Sequence, residues 1–144
     1  GQYLDTGAQV IHAAPNTTSN VNSRSIAKDG GHAYYRGLLK VTEKAHHSRA
    51  TVSCESLMLD NESHSDTLPI MDLNTDDIDI GHEARVGRIS EESIFYLMSR
   101  GISEEEAKAM IVRGFVEPIA KELPLEYAVE LNNLINLELE GTIG

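Results

Sequence analysis

The sequence predicts a mainly β chain that closes with a small α-helical domain, and three observations carry that reading. Before residue 90, short stretches alternate small or apolar residues with polar ones, as in Ala50-Thr51-Val52-Ser53-Cys54-Glu55-Ser56-Leu57-Met58-Leu59 and Leu38-Leu39-Lys40-Val41-Thr42, the period of a strand. Turn formers separate them: Pro15-Asn16, Asp29-Gly30-Gly31, Asp60-Asn61 and Asn74-Thr75-Asp76-Asp77. From Ser90 the apolar spacing becomes helical, so the chain divides into residues 1–89 and 90–144.

In the first part the strands recur every ten to twenty residues or so with no helical pattern between them, which excludes βαβ units and leaves a sandwich, a barrel or a β-solenoid. Small polar residues are common inside them, as in "SNVNSRSIA" (residues 19–27). Stacked parallel rungs accommodate such residues because identical positions ladder on one another, which favours the solenoid.

The helical part has explicit start and stop signals. Ser90 caps a helix opened by Glu91 and Glu92, and "IFYLMSRG" ends it at Gly101. Ser103-Glu104-Glu105-Glu106 is a capping box for a second helix, whose apolar stripe is Ala107, Met110, Ile111 and Phe115, with Gly114 and Pro118 ending or kinking it. A third helix, with Pro124 in its first turn, runs to about Glu140 and carries Tyr127, Leu131, Leu134, Ile135 and Leu139.

Composition removes several function classes. With 40% apolar and 24% charged residues among 144, this is the make-up of a soluble globular chain, and no apolar run approaches the roughly 18 to 20 residues that cross a bilayer. The chain opens on Gly1 rather than Met, which suggests a piece of a longer protein. A net charge of −11 repels a phosphate backbone and argues against nucleic acid as a partner. One cysteine cannot form an internal disulfide, which fits a reducing, cytoplasmic setting.

Ligand chemistry belongs to the first part, because Cys54 and all six histidines (His12, His32, His46, His47, His64, His82) lie there. Cys54 shares a strand face with Val52, Ser56 and Met58, the setting of a buried structural cysteine. His82 and Glu83 are adjacent on a strand, so regular alternation sends them to opposite faces. Cys54, His64 and the "GHEAR" pair are the ligand types on offer, but no CxxC or HxxxH pair is present, the remaining histidines read as solvated turn residues, and Asp76, Asp77 and Asp79 lack EF-hand spacing. Neither GxSxG nor a phosphate-cradling glycine loop occurs, and the chain has no Trp for a carbohydrate-binding face.

Residues 89–144, "ISEESIFYLMSRGISEEEAKAMIVRGFVEPIAKELPLEYAVELNNLINLELEGTIG", resemble the C-terminal domain of the SufB/SufD family of iron–sulfur cluster assembly proteins. "GLLKV", "SCESLMLDNESHSDTLP" and "GHEARVGRI" are similar to the last rungs of that family's β-helix. The resemblance implies a right-handed parallel β-helix (last rungs) followed by a small helical domain. Cys54 before "SDTLP" and the His82-Glu83-Ala84 run resemble the SufB branch, whereas Gly81, where an acidic residue is common in SufB, and "VGRI" depart toward SufD.

Carried onto these positions, the resemblance implies a non-catalytic scaffold. Cys54 and Glu83, with His82, would accept sulfur or hold a transient iron–sulfur cluster, Cys54 and Glu83 ligating iron in a site shared with a partner. The partners implied are a SufD-type paralogue, a SufC-type ATPase that alone handles ATP, and a cysteine desulfurase with a sulfur carrier. The acidic helical part would dock the ATPase, with Met110, Phe115, Leu125 and Tyr127 as the contact residues. The alternative is a SufD-like structural partner that docks the ATPase without binding a cluster, Cys54 then being inert core. A truncated first rung would also leave unpaired backbone groups through which the isolated chain forms a homodimer.

Overall fold

The computed structural model describes residues 1–139, in two compact units, Gly1–Arg88 and a second that starts at Ile89. The first unit holds six strands: β1 (Tyr3–His12), β2 (Thr18–Ala27), β3 (His32–Val41), β4 (Ser48–Met58), β5 (His64–Leu73) and β6 (Ile78–Arg88). They form two parallel three-stranded sheets, ordered β1-β3-β5 and β2-β4-β6, so the chain changes sheet at every turn. Each strand pairs with the strand about thirty residues on: Tyr3 lies opposite His32, Thr18 opposite Arg49, His32 opposite His64 and Ser48 opposite Ile78.

The four turns read from the sequence fall between strands, and Asn16, Asp29 and Gly30 take positive φ there, which Asn, Asp and Gly tolerate best. A fifth turn, between β3 and β4, had no Pro or Gly to announce it; His47 supplies its left-handed residue at φ 56. β5 was also only partly legible, because Leu68, Ile70 and Met71 interrupt the alternation and are all exposed.

The core lies between the sheets. Alternate residues of β3 (Ala33, Tyr35, Leu39, Val41) and β4 (Ser48, Ala50, Val52, Cys54, Ser56) point inward and are buried. Leu39, Val41, Ala45 and Ala50 form one cluster with Val10, Ile78 and Ile80; Tyr35, Val52 and Cys54 form a second with Val21. The central strands carry most of this burial because each has a neighbour on both sides, whereas the inward residues of the end strands, such as Leu4, Leu73 and Val86, remain largely exposed.

Buried polar groups close on one another. His12, expected to be a solvated turn histidine, is 3% exposed, with Nδ1 against the Thr17 hydroxyl (2.5 Å) and Nε2 against that of Ser19 (2.8 Å). Two hydroxyl partners satisfy both ring nitrogens, which is what allows an imidazole inside. Ser56 receives hydrogen bonds from Ser25 and Ser65, each 2.8 Å long, so one hydroxyl triangle ties β2, β4 and β5 together.

The second unit contains α1 (Glu91–Met98), α2 (Glu104–Ala120) and α3 (Leu125–Leu139). Ser90 Oγ accepts from the Ser93 amide and Ser103 Oγ from that of Glu106, and Gly101 takes φ +88 after α1. Glu106 does not reciprocate toward Ser103 as the capping box anticipates; its carboxylate pairs with Arg113 instead. α2 runs through Gly114 and Pro118 to Ala120 rather than stopping, because Pro118 sits in the last turn, where its missing N–H costs one bond and the Lys121 amide already reaches Glu117 O. α2 packs against both α1 and α3, so its buried arc (Ala107, Ala109, Val112) is wider than the expected stripe, and Met110 stays exposed. α3 starts at Leu125, one residue after Pro124, and its predicted end at Glu140 lies outside the described residues.

Leu39 is 3% exposed at the centre of the larger cluster. Leu39→Ala is expected to destabilise the first unit by about 2–5 kcal/mol, the usual cost of truncating a core leucine, measurable by urea denaturation.

Candidate functional site

Register decides which candidate residues can act together. Cys54 lies between Ser23 of β2 and Ala84 of β6, and the neighbouring rows are Val21–Val52–His82 and Asn22–Ser53–Glu83. Paired residues of parallel strands share a face, so His82 points to the same side as Val52 and Cys54, and Glu83 to the opposite side with Ser53. One strand spacing of about 4.8 Å and a two-residue rise of about 6.6 Å put the Cys54 and His82 Cα atoms about 8 Å apart.

Cys54 is 2% exposed and burial pushes its thiol up from the ordinary cysteine range. Along β4 it separates two surroundings. On one side are Val52 and the ring of Tyr35; on the other, Ser56 with its hydroxyl triangle. The phenol of Tyr35 is likewise pushed up, first by burial and then by the charge that Cys54 carries when ionised.

Glu83 lies in a solvated charge ladder. Arg85 donates to its Oε1 from Nε (3.0 Å) and from a terminal nitrogen (2.6 Å), and in the next row Arg24 reaches Glu55 at 2.8 Å. His82 is exposed on a strand whose other edge is unpaired within the described unit. Cys54 and His82 therefore share a face, while Cys54 and Glu83 do not converge, and among the described residues no three His, Cys, Asp or Glu side chains gather to hold a metal. One soft sulfur and one imidazole on a common face suit iron or an iron–sulfur unit in ligand type, but fall short of a full set in number.

Two features of these surroundings were not legible in the sequence. Tyr35 is two residues from Gly37 on the inward face of β3, yet no strand was recognised before Leu38. His47 joins Asp77 across the turns at 3.0 Å, beside a polar pocket that Arg49, Asp76 and Asp79 also line; the Asp-rich stretch marked that pocket only as a turn. Of the expected docking residues, Met110, Leu125 and Tyr127 are exposed (Leu125 77%, Tyr127 68%), whereas Phe115 is half-buried.

Residues 1–115 match the family described as SUF system FeS cluster assembly, SufBD core domain. The chain belongs to the SufBD family. It is 57% identical over 143 residues, 99% of its length, to an iron–sulfur cluster assembly SufBD family protein of Mycobacterium tuberculosis, and covers 17% of that protein. It is 57% identical over 144 residues to a SufBD family protein of Staphylococcus saprophyticus, of which it covers 31%. The chain thus spans less than a third of the length of these curated SufBD relatives. No helix among its described residues is long and apolar enough to cross a membrane.

The strand that carries Cys54 is anchored by the turn that follows it. Asp60 accepts from the amides of Glu62 (2.8 Å) and Ser63 (2.6 Å) and from the Ser63 hydroxyl (2.9 Å). Desolvation alone would raise its pKa; these donors, with the Asp29 amide, outweigh it and hold the carboxyl at about 2. A carboxyl depressed by folding stabilises the fold above its unfolded pKa of about 3.9 and loses that contribution as pH falls toward 2. Asp60→Asn is expected to lower the melting temperature at pH 7, with the gap to the parent narrowing between pH 4 and pH 2, as thermal melts across that range would show.

Proposed function

We propose that this chain is the C-terminal part of a SufB-type scaffold on which iron–sulfur clusters are assembled in the SUF system. The observation that carries the reading is a single thiol facing the inside of a SufBD core, with an imidazole on the same face one strand away. In this reading the two parallel sheets are the last rungs of a right-handed β-helix, whose next stacking surface is the free edge of β5 and β6. Cys54 accepts sulfur or ligates iron, His82 is its closest companion, and a SufD-type paralogue closes the open side and completes the ligands. Glu83, on the outer face, serves the same partner contact, and must leave Arg85 to bind iron. The cluster is cargo: two donors on a shared rim hold it weakly enough to pass it on.

Residues 90–144 dock a SufC-type ATPase through the exposed Met110, Leu125 and Tyr127, and the ATPase, not this chain, hydrolyses ATP. The sulfur comes from a cysteine desulfurase through a sulfur carrier, and the setting is the cytoplasm. A second reading has one observation in its favour: a thiol 2% exposed with a raised pKa is what inert core looks like, as in a SufD-like partner that docks the ATPase without binding a cluster.

Anaerobic reconstitution of the intact protein with its SufC and SufD partners separates the two. Cys54→Ser is expected to leave the complex assembled and to abolish cluster absorbance, and His82→Ala to reduce it more than Glu83→Ala does. Unchanged cluster content in Cys54→Ser would favour the SufD-like reading.

A further inference from the structure

The sheet β1-β3-β5 begins on a row of rings. Tyr3, His32 and His64 are in register across it, on the side opposite the buried Ala33 and Tyr35. The two imidazole centroids lie 6.1 Å apart with the rings inclined at 63°, and Tyr3 meets His32 edge-on from the other strand at 5.0 Å. Asp66, two residues along β5 and on the same side as His64, has its Oδ2 2.7 Å from His32 Nε2.

This is how a metal-binding imidazole is oriented. A carboxylate only accepts, so it fixes the proton on Nε2 and leaves His32 Nδ1 with a free lone pair. The backbones that carry the two rings are also fixed. The His32 amide donates to Gln2 O (2.8 Å) and the His64 amide to Gly31 O (2.9 Å), and His64 follows directly on the turn that Asp60 holds. The His64 side chain is exposed and can rotate. Two imidazoles on one tetrahedral ion, each at about 2.1 Å, have centroids about 5 Å apart, so a rotation that moves the His64 ring about 1 Å closes the chelate. A chain with a net charge of −11 attracts a cation to such a site.

We propose that His32 and His64 form a surface chelate for a divalent transition-metal ion that favours imidazole (Ni²⁺, Cu²⁺ or Zn²⁺), with Asp66 orienting His32 and water filling the remaining positions. Two protein donors make the chelate, in keeping with the lack of a three-residue cluster among the described residues. The site is separate from Cys54, which faces inward on the other sheet, and it does not depend on the scaffold reading.

The test is calorimetric titration of the intact, tag-free protein with Ni²⁺ alone. The parent is expected to show saturable binding of one ion per chain. His64→Ala, at an exposed position that does not disturb the core, and His32→Ala are each expected to weaken it by more than about tenfold, and Asp66→Ala by about tenfold, the usual cost of losing an orienting carboxylate. The double variant His46→Ala, His47→Ala removes the chain's adjacent imidazoles and is expected to leave the affinity unchanged. No saturable binding by the parent, or an affinity that survives His64→Ala and falls in the His46, His47 double variant, would overturn the assignment. Because neither a cluster nor a partner is present, the result bears on His32 and His64 whatever becomes of Cys54.

Discussion

Everything in the first unit depends on the register of its parallel pairing. Each strand satisfies its backbone groups with the strand about thirty residues away, and that pairing fixes which alternate side chains meet between the sheets. A one-residue slip of β4 would turn Val52, Cys54 and Ser56 outward and bring Arg49, Thr51, Ser53 and Glu55 into the core. Burying Arg49 and Glu55 away from Asp79 and Arg24 would cost far more than the slip could return, so the sheet has one register and Cys54 one face.

The placement of the chemistry follows from that register. The thiol sits where an apolar cluster meets a group of self-satisfied hydroxyls, shielded by both sheets. The candidate carboxylate of Glu83, by contrast, is held on the solvent side by Arg85. His82, Ala84 and Val86 lie on the inward side of β6, an end strand of its sheet, and are exposed.

How much of this the sequence disclosed depended on the type of signal. The alternation through Cys54 was regular because β4 is central and half of its residues are buried, so its inward row was legible residue by residue. β1 and β6 gave weak patterns because, at the ends of their sheets, they bury little. The caps at Ser90 and Ser103 were legible because they are local, while the buried arc of α2 was not, since it depends on having α1 and α3 on two sides. His12 misled because an imidazole satisfied by Thr17 and Ser19 looks, in sequence, like any turn histidine. The opposite faces of Cys54 and Glu83 could be obtained only from the pairing of β4 with β6, which no sequence pattern states.

The central claim is that the buried Cys54 sulfur is reached and used. It is tested most directly by incubating the assembled complex with a cysteine desulfurase, its sulfur carrier and cysteine, then weighing the Cys54-containing peptide. The account predicts that this peptide gains the mass of one sulfur atom and that the gain disappears on reduction. A Cys54 peptide that keeps its parent mass while sulfur accumulates elsewhere on the complex would contradict it, and would leave Cys54 as core packing.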